Sequence, residues 1–337
     1  MSTAVLAPPT LETLISAAAA APSVHNTQPW RFRLDPETAT LEVRAVAERG
    51  LRHIDPAGRA LHLSVGCAVL NLRVAVAHFG REPVTRLLPR PEEPDLLATV
   101  RLGGRVRSGP AHRLYEALWQ RHSSRFPFSG LRLPAAVLAE LGEAAHTEGA
   151  LLSRPDPGET ERLLRLTRDA ERRNILDAAR AAESRRWVHE PTEAALGIPP
   201  WALGPQDFLE RVPMRDFGAH RHPSALAGRP FEQRPVIAVL STAHDRRADW
   251  LRAGQALERV LLVATAHGVR ASLLHQALEW PDLREQFAAT GDGRRAHAQM
   301  VVRLGYGPEG PASPRRSARQ TVDVAADDGT LSVPLPR

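Results

Sequence analysis

The chain of 337 residues, 43% of them hydrophobic, can bury a dry core in one large domain or two moderate ones, and so requires neither disulfides nor a structural metal. All 44 basic residues are arginine, against 38 acidic ones, for a formal net charge of +6. Because a guanidinium does not deprotonate, the pI of 10.7 reflects residue type, and with no basic arm or aromatic–basic stripe no nucleic-acid partner is expected.

The first apolar segment carries Glu12 and no basic residue before Arg31, so it reads as a helix over 10–21 rather than a secretion signal. No apolar run reaches the ~18 residues of a bilayer span, and a cytoplasmic protein without membrane attachment is expected. PSVHNTQPW follows at 22–30. Read as extended backbone, it sends Asn26 and Gln28 to one side, with Ser23 at the start of the turn. Paired carboxamides suit the edge of a flat heterocycle; the alternative is a polar loop whose amides bond the backbone. LEVRAV (41–46) is a strand candidate, and RALHLSVGCAVLNLRVAVAHFG (59–80) a long buried helix ended by Gly80. Cys67, the only cysteine, lies in that helix as a small core residue, which excludes an internal disulfide and a cysteine metal cluster.

RHSSRFPF (121–128) sets Arg121, Ser123 and Arg125 at alternate positions around His122. Two guanidiniums and a hydroxyl at that spacing suit a phosphate. Arg315, Ser317 and Arg319 repeat the spacing in the Pro/Arg tail, so the pattern alone does not separate the two sites. LPAAVLAELGEAAH (133–146) reads as a helix, followed by a charged amphipathic helix over 159–186. A Pro/Gly/aromatic segment over 187–218 holds Trp187, Trp201, Phe208 and Phe217, either lid residues or loop anchors. PVIAVL (235–240), RADWLRAGQALERVLLVATAHG (247–268) and HAQMVVRLGYG (297–307) read as strand, long helix and strand.

The two long helices align without a gap, with identities at Arg59/Arg247, Ala60/Ala248, Leu63/Leu251, Gly66/Gly254, Ala68/Ala256 and Gly80/Gly268. PSVHNTQPW also pairs with PSALAGRPF (223–231): Pro22/Pro223, Ser23/Ser224 and Pro29/Pro230 recur, and Trp30 meets Phe231. Asn26 and Gln28 become Ala227 and Arg229 in that second copy. The chain therefore reads as two related α+β halves, 1–110 and 111–337, with an insertion at 150–222 as the candidate lid. There is no HExxH, P-loop or G-x-S-x-G pattern, so neither a metal site, a classical nucleotide fold nor a serine hydrolase is expected.

Together, PSVHNTQPW and RHSSRFPF resemble the motifs of the FMN-dependent nitroreductase family, and within it the Acg-like branch of fused, pseudo-dimeric members. The resemblance covers nearly all of the chain outside the insertion. Family subunits carry both motifs, whereas here each half has kept one. The resemblance implies a nitroreductase-like α+β fold whose tandem halves form an intramolecular pseudo-dimer with one composite FMN site. It implies that Arg121, His122, Ser123 and Arg125 contact the flavin phosphate and ring, and that Ser23, Asn26 and Gln28 reach the flavin from the opposite half. Leu274, His275 and Gln276 stand where the family presents a backbone N–H to flavin N5, although GVRASLLHQ departs from the family's acidic-Gly ending. Arg315 and Arg316 match late basic residues that reach the phosphate. The implied activity is NAD(P)H-dependent two-electron reduction of a nitroaromatic, quinone or other conjugated acceptor, by a monomer or weak homodimer. Within the same branch the alternative is an FMN store with a closed lid and little reductase activity.

Overall fold

The computed structural model describes residues 8–106, 111–218, 228–287, 290–291 and 294–323. The first half runs α1 (Pro8–Ala19), a 3-10 turn (Val24–Asn26), β1 (Trp30–Asp35), β2 (Thr40–Ala45), α2 (Arg59–His78), β3 (Arg81–Leu87) and β4 (Leu96–Arg105). After α3 (Ala111–Gln120) come α4 (Ala135–Thr147), β5 (Leu151–Ser153), α5 (Pro157–Leu176) and α6 (Ala178–Arg186). The short strands β6 (Gln206–Asp207) and β7 (Gly228–Arg229) precede β8 (Val236–Thr242), α7 (Arg247–Ala266) and β9 (Arg270–Leu273). The chain closes with α8 (Pro281–Arg284), β10 (Thr290–Gly291), β11 (Arg294–Arg295), β12 (His297–Gly305) and α9 (Ala318–Thr321).

Two four-stranded sheets have the same antiparallel plan, β1-β2-β4-β3 and β5-β8-β12-β9. In each, a 20-residue helix follows the second strand and stops at a glycine with positive φ, Gly80 (74°) or Gly268 (69°), as only a residue without Cβ does cheaply. In each, the ladder between second and fourth strands slips by one residue, between Val43 and Arg44 and between Ala298 and Met300. β1 alternates buried Trp30 and Phe32 with exposed Arg31 and Arg33, whereas β12 is buried along almost its whole length.

The two long helices cross at Gly66 and Gly254. A Cβ on Gly66 would stand 2.3 Å from the Leu251 carbonyl oxygen, and one on Gly254 would stand 2.1 Å from that of Leu63. Leu63/Leu251 and Gly66/Gly254 are equivalent pairs of the sequence repeat, so the contact is reciprocal, as at a two-fold interface. Arg59 and Arg247, also equivalent, reach across in opposite directions. Arg59 donates to Gln299 O (2.7 Å) and Leu278 O (3.1 Å), and Arg247 donates to His62 Nε2 (2.9 Å) and the Pro94 carbonyl.

Two expectations change, and one falls outside the described residues. α2 has a mean hydropathy of 1.6 over an 18-residue window, so by length and composition it would cross a bilayer; its scattered Arg, His and Asn hide this from a residue-by-residue reading. It is 83% buried there, as the core helix packed on α7. The helix expected over 159–186 is two helices, broken at Asp177, whose carboxylate accepts the amides of Ala179 and Arg180 and so caps α6. In the second copy of the loop, Pro223, Ser224 and Ala227 lie outside the described residues.

Candidate active site

A cavity of about 140 Å³ opens where the two halves, the 187–218 segment and the tail meet. α2 supplies Leu63, Ser64 and Cys67, α7 supplies Leu257, and β12 supplies Met300 to an otherwise apolar floor. The 187–218 segment covers it with Ile198, Ala202, Met214, Arg215 and Phe217. Of the four aromatics expected there, only Phe217 reaches the cavity wall; Trp201 and Phe208 are 53% and 63% exposed.

PSVHNTQPW forms a tight turn, not an extended stretch: His25, Asn26 and Gln28 have φ of 50°, 54° and 46°. Ser23 Oγ accepts the Gln28 amide at 2.9 Å, and the Val24 amide donates to Ser64 Oγ at 3.2 Å. The side chains of Asn26 and Gln28 are occupied by backbone groups and by the Arg315 guanidinium. Asn26 Nδ2 donates to Gly197 O (2.8 Å) and Pro314 O (2.9 Å), while its Oδ1 accepts from Arg315 Nη1 (2.8 Å). Gln28 Nε2 donates to Ala195 O (2.6 Å) and its Oε1 accepts the Arg316 amide (2.9 Å). Both amides therefore fasten the covering segment and the tail. Gln28 is fully buried and, unlike Ser23 and Asn26, is absent from the cavity wall.

The arginines of RHSSRFPF separate into different clusters. Arg121 and Arg315 both donate to Ala20 O at 3.3 Å, and Arg121 Nε lies 3.3 Å from Glu258 Oε1. His122, Ser123 and Ser313 line the same cavity, and burial together with Arg121 and Arg315 lowers the His122 pKa. Arg125 lies instead against the cover. It donates to Ala202 O (2.6 Å), and its guanidinium stands 4.6 Å from the Phe217 ring, with Arg215 5.7 Å from that ring. Among the described residues neither Arg125 nor Arg315 has a carboxylate partner. Desolvation and a neighbouring guanidinium lower both pKa values, Arg215 acting on Arg125 and Arg121 on Arg315. Arginine keeps its proton, so the strain is a demand for an anion.

Behind the Arg125 cluster lies Glu279, which pairs with Arg215, accepts from His275 Nδ1 at 3.0 Å and faces Arg180 at 3.7 Å. Its own burial opposes ionisation, but the charge of Arg215 and the His275 bond overcome it and hold the carboxyl down at about 2. Burial pushes His275 down to about 4. A neutral imidazole fits its partners, since Nε2 accepts from Arg59 at 2.8 Å and Nδ1 donates to Glu279. His25, also buried and shifted down by desolvation, lies 3.3 Å from Ser184 Oγ through Nε2, and its Nδ1 has no hydrogen-bond partner among the described residues.

Leu274 departs from expectation, because its amide is spent on Val301 O at 2.9 Å in continuing the sheet. Gln276 turns away from the cavity and donates to Pro213 O at 3.1 Å. His275 stays in the wall. Arg316 does not line the cavity; its amide serves Gln28. Sequence reasoning missed His25, Arg215, Glu258 and Glu279. The signal for Glu258 is an acid on the stripe Leu251, Gly254, Glu258, Leu261, spaced for the buried helix face.

No family model matches the chain. It is 30% identical over 318 residues to a Mycobacterium tuberculosis protein named as an NAD(P)H nitroreductase, Rv3131, covering 93% of this chain and 91% of that one. The chain belongs to the nitroreductase family. A second nitroreductase relative, Acg of M. tuberculosis, is 29% identical over 328 residues, covering 94% and 96% of the two chains. Among solved nitroreductases, the FMN-dependent NfnB of Mycobacterium smegmatis, in complex with NADPH, aligns at 17% identity and a TM-score of 0.40. That alignment covers 64% of this chain and 100% of that one.

Proposed function

We propose that this member of the nitroreductase family is an FMN-dependent NAD(P)H oxidoreductase that reduces a nitroaromatic, quinone or other conjugated acceptor. The observation that carries the reading is the pair Arg125 and Arg315. Each is a cavity guanidinium without a carboxylate partner among the described residues, beside apolar walls spaced along two facing helices. A ligand whose anionic end meets Arg315, and whose flat apolar body reaches Arg125 with a ring able to take up negative charge, answers both demands. FMN is such a ligand, and when bound it supplies the hydride and electron chemistry.

Arg121 and Arg315, with Ser123 and His122 nearby, would hold the phosphate. Leu63, Leu257 and Met300 would pack on the ring from within, and Phe217 and Ile198 from the cover. Arg125 and Arg215 would set a positive field at the other end, which favours negative charge gained on reduction. With Leu274 committed to the sheet, the backbone N–H of His275 is the candidate to meet the ring nitrogen. Ser23, Asn26 and Gln28 act by shaping the turn and fastening the tail and cover. The site thus draws on both halves, as an intramolecular pseudo-dimer with one surviving site would. The reciprocal glycine crossing and the matching sheet plans support that reading.

A second reading, an FMN store, is favoured by one observation: the cover is fastened by the backbone bonds to Ala195 O and Gly197 O. One experiment separates the two. The absorbance spectrum of the purified protein is recorded anaerobically before and after NADPH, then NADH. Flavin bands that bleach support the oxidoreductase; bands that persist with either nucleotide and bleach with dithionite support the store. A colourless protein that takes up no added FMN would overturn both.

A further inference from the structure

The phosphate end of the cavity contains its own anion. Glu258, on α7, is completely buried, and among the described residues its carboxylate makes no close, well-aligned hydrogen bond. The nearest charge is Arg121, 3.3 Å away and 5% exposed, whose Nε likewise makes no hydrogen bond. A buried carboxylate normally collects two or three donors, whereas Glu258 has the charge of Arg121 and, beside it, the Asn71 carboxamide.

The groups that face Glu258 can be named from every packed element. Arg121 approaches from the end of α3 and Arg315 from the tail, while α2 presents Asn71 and the Cys67 thiol. The Asn71 carboxamide, also buried, is the neutral donor that faces the carboxylate and, after Arg121, favours its charged form. On the α4 side the acid is Glu148, engaged by Arg73 and Arg259. Among the described residues, two cations and one carboxylate therefore form the charged set at this end, with the imidazole of His122 beside both arginines. Arg121 lines the cavity and Glu258 lies behind it.

We propose that Glu258 is an internal competitor for Arg121, occupying it while no phosphate is present and taking up a proton when a phosphate-bearing ligand binds. The inference rests on the FMN reading above and deepens it by adding a proton to the binding equilibrium. A phosphate dianion beside Arg121 and Arg315 draws the guanidinium charge toward itself and adds negative charge near Glu258. The carboxylate then keeps the Asn71 carboxamide but no undivided counter-ion, which favours its protonation. Burial already raises the Glu258 pKa to about 7, the charge of Arg121 opposing, so the proton is available near neutral pH. A phosphate monoester is already a dianion above about pH 7, so ligand titration does not mask the effect. Binding of FMN should weaken as pH rises, and riboflavin, which lacks the phosphate, should not respond.

The test measures dissociation constants of FMN and riboflavin by flavin fluorescence between about pH 7 and pH 9, for the wild type and Glu258→Gln. The expected FMN constant in the wild type rises toward tenfold per pH unit, the limit for one proton. The riboflavin constant stays flat, and Glu258→Gln flattens the FMN profile. Calorimetry of FMN binding to the wild type at pH 8, in two buffers of different ionisation enthalpy, measures the proton directly and needs no variant. A flat FMN profile, no proton uptake, or the same slope in Glu258→Gln would each overturn the proposal while leaving FMN binding intact. Failure of both flavins to bind at every pH would overturn the parent reading, and this proposal with it.

Discussion

Asn26 holds Arg315 and Gly197 with opposite ends of one carboxamide: Oδ1 accepts from the guanidinium at 2.8 Å, and Nδ2 donates to the glycine carbonyl at 2.8 Å. A single side chain thus ties the cavity's cover to the arginine that shares Ala20 O with Arg121. Asn26→Asp keeps the acceptor for Arg315 and loses both Nδ2 bonds, whereas Asn26→Ala loses all three. Tryptic cleavage within 185–211 should quicken in both variants. Stability should fall by about 1–3 kcal/mol in Asn26→Ala, because buried partners are left without bonds. Unchanged cleavage in Asn26→Asp would mean that the cover is held elsewhere.

The helix crossing makes a second prediction. Gly66→Ala puts a methyl group against backbone that cannot rotate aside, so stability should fall by about 3 kcal/mol in thermal unfolding. Gly142, within α4, meets nothing within 4 Å, and Gly142→Ala should instead stabilise by about 0.5–1 kcal/mol. Opposite signs at two helical glycines would exclude a general effect of helix propensity.

The separation of the two arginine clusters predicts different ligand losses. Arg121→Gln should weaken FMN by on the order of tenfold or more and leave riboflavin nearly unaffected, because the lost partner is the phosphate. Arg125→Gln, placed beside Phe217 and Arg215, should weaken both flavins by similar factors. Equal selectivity in the two variants would reject the division of labour.

Titration of Glu258 also affects the protein without ligand. Its folded pKa of about 7 lies above the ordinary carboxylate value, so between about pH 4.5 and 7 the folded state keeps a proton that the unfolded state has lost. Stability therefore falls as pH rises through that window and is level above it. Glu258→Gln removes this contribution, and its stability relative to the wild type should grow by on the order of 3 kcal/mol from pH 4.5 to 8. The comparison must be between variants, because buried Glu171, raised by desolvation to about 7, slopes the same way, while His275, lowered by burial to about 4, slopes oppositely. Urea unfolding of both proteins across that range measures the difference.

Much of the scaffold was legible because the repeat leaves marks that physics requires. Gly66 and Gly254 are identical since neither tolerates a Cβ at the crossing, and Gly80 and Gly268 since both end helices with positive φ. The strands at 40–45, 236–242 and 297–305 followed from short apolar runs, whereas the three-residue β5 is too brief to leave a pattern. The site was legible in its residue types and less so in its geometry. Asn26 and Gln28 are the right amides in the wrong conformation, because no spacing rule signals three non-glycine residues with positive φ in one turn. Arg215 was invisible for another reason: its place depends on a long segment folding back on the cavity, and a lone arginine in an arginine-rich chain carries no mark.

Because α2 comes from the first half and α7 from the second, each half leaves its longest apolar helix uncovered until the other arrives. A chain cut between residues 106 and 111 would yield two fragments, neither with a closed core, that must find one another to fold. The same complementarity does not require the partners to share a chain. Two molecules that exchanged halves would form a dimer in which every cavity is assembled from two polypeptides, with only the connection between the halves rearranged.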